Sequence, residues 1–233
     1  MATSTNPTSA LGSAPAPSLF SLANRTILVT GGARGLGLEV AHALLQAGAD
    51  VLALDLLPPV EPDWSSALAA ATAAGVSLSY ERLDVTDAEA VEAAVGAAFK
   101  NARTPVRGLF HAAGIQLLKD ATAIAPAEFR KIIDVNLTGA FLLSAAFARA
   151  YAAAGGGRTS QGRSLSPGYI RTALTEALIV ERPRVLEEWT AGSLLGRLST
   201  PDEFRGPAIF LLSDASSFMT GADLVVDGGH TAV

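Results

Sequence analysis

Short apolar segments alternate with helix-like segments along most of the chain, and this alternation constrains the fold more than any other feature. The first apolar run, Thr26–Thr30, enters a glycine-rich turn, and residues 40–47 follow it with apolar positions at helical spacing. Three more strand-like runs (51–55, 76–83 and 108–113) and three more helix-like stretches (65–74, 88–100 and 128–154) continue the pattern. Repeated units of this kind predict an α/β fold, a doubly wound parallel sheet with helices on both faces.

Composition narrows the possible functions. The 233 residues, 49% of them hydrophobic, suit a single domain. Lys and Arg total 17 against 22 Asp and Glu, giving a net charge of -5 with no basic stripe, so neither nucleic acid nor an anionic membrane is expected as a partner. The chain has no cysteine and three histidines, which predicts no metal site. No uninterrupted run of about 18 apolar residues occurs, so no membrane span is expected.

The N-terminal residues differ in composition from the rest. Residues 1–18 are small and polar, with several prolines, which predicts a disordered tail before a single domain at 19–233. A mitochondrial presequence is Arg-rich, whereas the first arginine here is Arg25. We therefore expect a cytoplasmic location.

The turn after the first strand has the composition of a phosphate-binding loop. It contains Gly31, Arg34, Gly35, Leu36 and Gly37 and leads directly into a helix. Glycines there allow a sharp turn and a close approach of backbone to pyrophosphate, and the helix N-terminus attracts anions. A tight turn without a ligand would also explain the glycines.

Asp55 ends the second strand and stands close to the position that a dinucleotide site requires of an acidic residue. Such a residue follows the glycine turn by roughly 20 residues, where it meets the ribose hydroxyls and repels the 2'-phosphate of NADP. The sequence therefore favours NAD(H) over NADP(H), although Arg34 offers a cation that partly offsets this preference. The alternative is that Asp55 caps a turn.

These motifs, in this order, resemble the short-chain dehydrogenase/reductase (SDR) family, and the likeness extends from about Phe20 to Val233. The resemblance implies a Rossmann-like sheet, an NAD(P) cofactor and an alcohol, polyol or ketone substrate. It assigns the pyrophosphate to the glycine turn and the adenine to Asp84 and Val85. It also matches the following segments: Ala112, Ala113 and Gly114 after the fourth strand, with His111 in place of an Asn; Asn136, which holds a proton-relay water in the family; and Pro167, Gly168, Ile170 and Thr172 beside the nicotinamide.

Each of these residues also has an ordinary structural explanation. Asp84 could cap a turn, Asn136 could bond to backbone and Thr172 could begin a helix. His111 has no carboxylate or second histidine near it in sequence, so we expect it to be structural.

The catalytic pair of the family is absent from the sequence. The resemblance implies three catalytic residues. In the family that this sequence resembles, a Tyr exchanges the hydroxyl proton, a Lys four residues later lowers the pKa of that Tyr, and a Ser on the fifth strand holds the substrate oxygen. Here the residues four positions after the three tyrosines are Asp, Gly and Ala, after Tyr80, Tyr151 and Tyr169 respectively. Asn136 is the only member of the catalytic set that remains, and we expect little or no activity.

The spacing of the flanking motifs explains this absence. Only residues 155–165 separate the long helix from Ser166, whereas a strand, crossover helix and parallel strand need roughly 30 residues or more. The fifth strand and the following helix are therefore predicted to be deleted. Three interpretations stay open: a nearly inactive oxidoreductase, a non-catalytic NAD(P)-binding pseudoenzyme, or the shortened splice or gene product of an ordinary dehydrogenase.

The deletion has predicted structural consequences. It either leaves the fourth strand with an open edge or forces a later strand to move beside it, and we expect the run from Ser164 to Tyr169 to fill part of the vacancy. The lost helix belongs to the surface through which the family usually forms oligomers, so a homo-oligomer is possible but its usual interface is incomplete. Candidate substrate contacts, each with an ordinary packing alternative, are Arg171, Trp189 and Arg197.

Overall fold

A computed structural model describes residues 15–156 and 162–232 of the chain. The strands are β1 (Thr26–Thr30), β2 (Asp50–Asp55), β3 (Leu78–Arg82), β4 (Val106–His111), β5 (Arg163–Pro167) and β6 (Ala222–Val226). The helices are α1 (Gly35–Gln46), α2 (Asp63–Ala74), α3 (Ala88–Asn101), α4 (Pro126–Ile133), α5 (Gly139–Ala153), α6 (Ala173–Glu181), α7 (Arg184–Ala191) and α8 (Arg205–Leu212). The predicted strands and helices of the first half are confirmed, with small shifts at their ends.

The first four strands form one parallel sheet in the order β3-β2-β1-β4. In its centre Ile27 is opposite Val51 on one side and Gly108 on the other. Every residue of β1 is buried, as expected for a strand with a neighbour on each side and helices on both faces. The predicted doubly wound α/β architecture is confirmed for this part of the molecule.

Helices cover the two faces of this sheet unequally. On one face, α2, α1 and α8 pack side by side over a core that includes Val29, Leu44 and Ala208. On the other face, α3 and α5 pack together over Leu28, Val95 and Leu143. Of the helices in the described residues, three therefore cover one face and two cover the other.

The segment predicted as one helix at 128–154 is continuous but not uniform. It consists of α4, a π-helical turn at Asp134–Thr138, and α5. Glu128 helps to start it by accepting the Ala125 N–H at 2.9 Å, and Gly155, with φ of 79°, ends it. By length and composition alone this helix could cross a membrane, but the core helix of a soluble protein passes the same test, so the expectation of no membrane span stays a prediction.

The last two strands form a separate sheet, which corrects the prediction for the run from Ser164 to Tyr169. β5 pairs only with β6, from Arg163 opposite Ala222 to Pro167 opposite Val226, and does not join β4. The reason is visible at Arg163, whose guanidinium donates to the carbonyls of Leu211, Ser216 and Met219. These bonds tie β5 to α8 and to the connection that leads into β6.

Two predicted boundaries fall partly beyond the described residues. Residues 1–14 of the predicted tail lie outside them, while Ala16–Phe20 forms a 3-10 helix with the Phe20 ring 6.3 Å from that of Phe210. Of the short link at 155–165, residues 157–161 also lie outside the described part. No strand occurs between β4 and β5 in the residues that are described.

Candidate cofactor site

The glycine turn that leads from β1 into α1 packs too tightly for side chains at three positions, Gly31, Gly32 and Gly37. A Cβ on Gly31, whose φ is 66°, would lie 2.8 Å from the backbone of Ala112 and Ala113, and one on Gly37 would collide with the Gly31 carbonyl. At Gly35, φ is 53° and a Cβ would point into open space. The turn thus packs against β4 on one side and leaves an open backbone surface on the other, which is the form of a phosphate cradle.

The start of α1 offers its amides to this open surface. Arg34 is the N-cap residue, and it provides no side-chain acceptor to the first turn of the helix. Because the first amides of a helix have no partner within it, they are available to an anion and carry the positive end of the helix dipole. The residues present therefore fit the pyrophosphate of a dinucleotide.

Asp55 connects the end of β2 to the glycine turn. Its carboxylate accepts the N–H of Ala33 at 3.1 Å through one oxygen and that of Leu57 at 3.1 Å through the other. The turn-cap alternative is thus realised, and the same bonds hold the carboxylate beside the cradle. Arg34 donates to the Pro58 carbonyl at 3.0 Å, which places a cation on the loop that follows Asp55.

Asp84 and Val85 follow β3 and are held by local contacts. The Thr86 hydroxyl and backbone N–H both donate to Asp84, at 2.7 and 2.9 Å, and these bonds lower the pKa of that carboxyl. Val85 is buried, and a Cβ on Gly139 would lie 2.8 Å from its side chain. Gly139 thereby lets α5 approach the segment assigned to the adenine.

His111 joins β4 to β1 at the carboxyl end of the sheet. Its Nδ1 lies 2.6 Å from the Thr30 hydroxyl oxygen, which also accepts the Ala113 N–H at 3.4 Å. Burial lowers the pKa of His111, and its Nε2 is buried without a hydrogen-bond partner among the described residues. The imidazole is therefore neutral near pH 7. The described part of the chain contains no cluster of three or more His, Asp or Glu that could hold a metal.

Asn136 lies on the π-helical turn and bonds to backbone at both ends of its amide. Its Oδ1 accepts the Ile115 N–H at 2.9 Å, and its Nδ2 donates to the Ile115 carbonyl at 2.9 Å. A Cβ on Gly114 would come within 3.5 Å of the same amide oxygen. Asn136 thus fixes the loop that follows β4. Among the described residues, its side-chain amide bonds only to Ile115.

The segment after β5 is fixed by backbone contacts. A Cβ on Gly168, next to Pro167, would lie 2.8 Å from the backbone of Asp227. Ile170 is buried and forms a bridge with Ser199. Thr172 is the N-cap of α6 and accepts the Thr175 N–H at 3.4 Å, which is the structural alternative considered for it.

The three candidate substrate contacts all have partners within the chain. Arg171 pairs with Glu176. Arg197 makes two 2.7 Å bonds to Glu203 and lowers the pKa of that carboxyl to about 2. Trp189 stacks on Tyr169 with ring centroids 4.3 Å apart.

Sequence reasoning missed one aromatic cluster. His230 lies edge-on to the Tyr169 ring, which stacks on Trp189, and it also contacts the Gly192 carbonyl at 2.9 Å. The three rings come from the segment after β5, from α7 and from the C-terminal segment. No local motif links positions so far apart, so the sequence carried no signal for this contact.

Comparison with known proteins identifies the group to which these features belong. The short chain dehydrogenase family matches residues 25–161, and the enoyl-(acyl carrier protein) reductase family matches residues 145–231. A short chain dehydrogenase/reductase of Aspergillus versicolor, notP', is 39% identical over 91% of this chain and 89% of its own. Galactitol 2-dehydrogenase (L-tagatose-forming) of Cereibacter sphaeroides is 33% identical over 91% of this chain and 97% of its own.

Solved structures agree with these matches. A short-chain type dehydrogenase/reductase from Mycobacterium marinum superposes with a TM-score of 0.82 at 27% identity, over 93% of this chain and 99% of that one. A gluconate 5-dehydrogenase from Burkholderia cenocepacia, in complex with NADP and tartrate, gives a TM-score of 0.78 at 28% identity, over 93% and 98%.

The fold and the cradle define an NAD(P)-binding oxidoreductase of the Rossmann type. More particularly, the chain belongs to the short-chain dehydrogenase/reductase family.

Proposed function

We propose that this chain binds NAD(H) in preference to NADP(H) and performs little or no hydride transfer between an alcohol or polyol and its ketone. One observation carries the proposal. The cradle formed by the glycine turn, α1 and Asp55 is intact, while no tyrosine of the chain is followed by a lysine four residues later.

The binding half of the proposal assigns roles to this chain's own residues. The α1 amides and the glycine backbone hold the pyrophosphate, and Asp55 accepts hydrogen bonds from the adenosine ribose. Because Asp55 is already anchored by two backbone amides, its carboxylate is ordered before the cofactor arrives. A bound nicotinamide supplies the hydride donor or acceptor. The segments Ala112–Gly114 and Pro167–Thr172 would line its ring.

The missing half of the chemistry is proton transfer. Hydride transfer to or from a carbinol requires a group of tuned pKa that takes up or gives the hydroxyl proton. Asn136 does not ionise, and both ends of its amide bond to Ile115. Residues that act as a catalytic unit do not replace one another, so a single survivor gives little rate enhancement.

The alignment with the Aspergillus versicolor protein supports a deletion as the cause. It extends over 260 residues, although it includes only 91% of this 233-residue chain. The alignment is thus longer than the whole chain, so the relative has a substantial number of residues with no counterpart here. A strand with its crossover helix and the next strand needs roughly 30 residues or more. The extra length agrees with removal of one βα unit, and the short link at 155–165 is where the sequence has room for too few residues.

Calorimetric titration with NADH and with NADPH tests the proposed preference for NAD(H). We expect NADH to bind more tightly, and Asp55→Asn to reduce the difference between the two cofactors. Asp63→Asn, at the exposed start of α2, is the matched control for loss of one carboxylate. Equal affinities for the two cofactors in the unchanged chain would contradict the preference.

Turnover assays test the catalytic half. We expect no NADH formation above background from galactitol, gluconate or simple secondary alcohols, the first two chosen because relatives act on such compounds. Turnover at rates typical of enzymes would show that another group replaces the Tyr and Lys.

A second candidate is a shortened product of a gene whose full form is an active dehydrogenase. The length of the alignment with the Aspergillus versicolor protein, which exceeds that of this chain, favours this origin. Sequencing the transcript through the codons for Gly155 to Leu165 tests it. An in-frame insert that encodes Tyr-x-x-x-Lys would support this candidate, and an uninterrupted reading would exclude it.

A further inference from the structure

The edge of β4 away from β1 has no neighbouring strand in the described part of the chain. The Ala112 N–H donates to the Thr30 carbonyl, so it points towards β1. Alternate residues of a parallel strand direct their backbone groups to opposite sides, and Leu109 and His111 therefore direct theirs away from β1. An edge of this kind accepts a further strand.

The edge of β5 away from β6 is also open among the described residues. The Gly168 N–H donates to the Val226 carbonyl. By the same alternation Ser166 faces β6, and Leu165 directs its backbone groups away from it. Among the open strand edges of the described residues, these two come from different sheets.

Helix α8 contacts a strand of each sheet. Leu212 fits against Gly108 of β4 so closely that a Cβ there would be 2.8 Å from its side chain, and the Leu211 carbonyl accepts a 2.8 Å bond from the guanidinium of Arg163 of β5. One helix thus packs against both sheets. A helix is about 10 Å wide, and two strand spacings of about 4.8 Å give nearly the same distance. A separation of one helix width is what a single intervening strand requires.

The opposite face of the sheet lacks a helix at the same place. Phe147 of α5 packs on Phe99 of α3, while Leu137 and Phe141 are 63% and 68% exposed. Leu109 of β4 lies on this face and is only half-buried. His111 shares the face, and its buried Nε2 has no partner in the described residues. We call the two open edges and this uncovered side of α5 the open lane.

We propose that the open lane binds, in trans, an extended apolar strand followed by an amphipathic helix, the kind of segment that the relatives have and this chain lacks. The inference rests on the proposed deletion. The strand would pair with β4 and β5 at once, and its helix would cover Leu137 and Phe141. Peptide strands that add to open sheet edges gain affinity from main-chain bonds and specificity from alternate side chains.

Chain length argues against a segment of this chain as the occupant. The stretch between Gly156 and Gly162 spans at most about 20 Å when extended, enough to link α5 to β5 but too short to add a strand on the way. Residues 1–14 are long enough, but they include Pro7 and Gly12 and only two large apolar side chains, Met1 and Leu11. Such a sequence is a poor strand former.

Amide exchange measured by NMR tests the proposal with a defined probe. The probe is a peptide with the segment of the Aspergillus versicolor relative that has no counterpart here, and the control is the same composition in shuffled order. We expect the probe to slow exchange at the amides of Leu109, His111 and Leu165 at least tenfold. Phe110 and Ser166, which already face a neighbouring strand, serve as internal controls and should change little.

Each other outcome overturns the proposal. No change with the probe means that the lane does not accept a strand, and equal changes with the shuffled peptide mean only non-specific adhesion. Slow exchange at Leu109 without the probe, lost in a chain that begins at Pro15, identifies the N-terminal residues as the occupant. Protection of Leu109 from exchange that increases with protein concentration identifies a second copy of this chain as the occupant. NADH titration of the same samples keeps a failure here distinct from a failure of the proposed cofactor binding.

Discussion

The two sheets of this protein are made of similar short parallel strands but are buried to very different extents. In the first sheet β1 is wholly buried and β2 has four of six residues buried, whereas β5 and β6, like the edge strand β3, have none. Strand composition does not cause this difference, because Leu and Val occur in both sheets. Burial depends on neighbours: the first sheet has helices on both faces, and the second is held mainly by α8 and its adjoining turns.

Leucine deletions in the two sheets should show the largest contrast. Leu28→Ala removes a fully buried side chain from β1, and a cavity of this kind costs about 3 kcal/mol. Leu224→Ala, in the partly exposed β6, should cost about 1 kcal/mol or less. Urea unfolding of the two variants measures both values. Equal losses would show that the second sheet is as tightly packed as the first.

Gly37→Ala should damage the proposed cofactor cradle beside the first sheet. The added Cβ would collide with the Gly31 carbonyl, so the turn must shift and NADH affinity should fall at least tenfold. Gly96→Ala is the matched control, because a Cβ there meets nothing within 4 Å. Calorimetric titration with NADH compares them. Unchanged affinity in Gly37→Ala would remove the cradle from the binding site.

His111 should make stability depend on pH at the junction of β1 and β4. Burial lowers the pKa of its imidazole in the folded state, so the unfolded chain binds more protons below the ordinary pKa of about 6.5. The associated stability is complete above this pH and is lost as pH falls towards the folded pKa, by at most about 1.4 kcal/mol per pH unit.

Urea midpoints at pH 7.5 and 5.5 measure this effect. The difference between the two pH values should shrink in His111→Asn and persist in His42→Asn, a surface variant on α1. An undiminished difference in His111→Asn would falsify the assignment to this residue.

The smallest expected effect is a gain. Gly96 lies inside α3 with room for a methyl group, so Gly96→Ala should stabilise the chain by roughly 0.5–1 kcal/mol through higher helix propensity. The thermal midpoint should rise accordingly. A fall in the thermal midpoint would mean that α3 has less room at Gly96 than the structure shows.

The first sheet and its helices were largely predictable, because each element follows from residues that are close together in the sequence. The strand Thr26–Thr30, the glycine turn and the helix after it follow from residue types at adjacent positions. The position of β5 was not predictable in this way. Its partner is β6, which lies beyond α6, α7 and α8 in the chain, and the bonds that decide the pairing come from Arg163 to carbonyls near the end of α8.

Residues of the candidate site were predictable from the sequence where they depend on short spacing, and not where they depend on distant contacts. Asp55 was identified from its spacing, and the structure adds that the Ala33 and Leu57 amides hold its carboxylate beside the turn. The roles of Asp84 and Thr172 as caps were alternatives that the sequence left open. The stack of Tyr169 on Trp189, with His230 beside it, depends on contacts between distant segments and had no counterpart in any motif.

By itself the sequence determined the alternating elements, the glycine turn and the absence of a Tyr and Lys pair, because each of these depends on residue identity at fixed short spacing. Only the tertiary structure decided that β5 stays with β6 and α8, and that β4 has no further strand beside it among the described residues. Strand pairing depends on which distant backbone edges meet and on the long-range contacts that hold them, and short-range patterns carry no information about either.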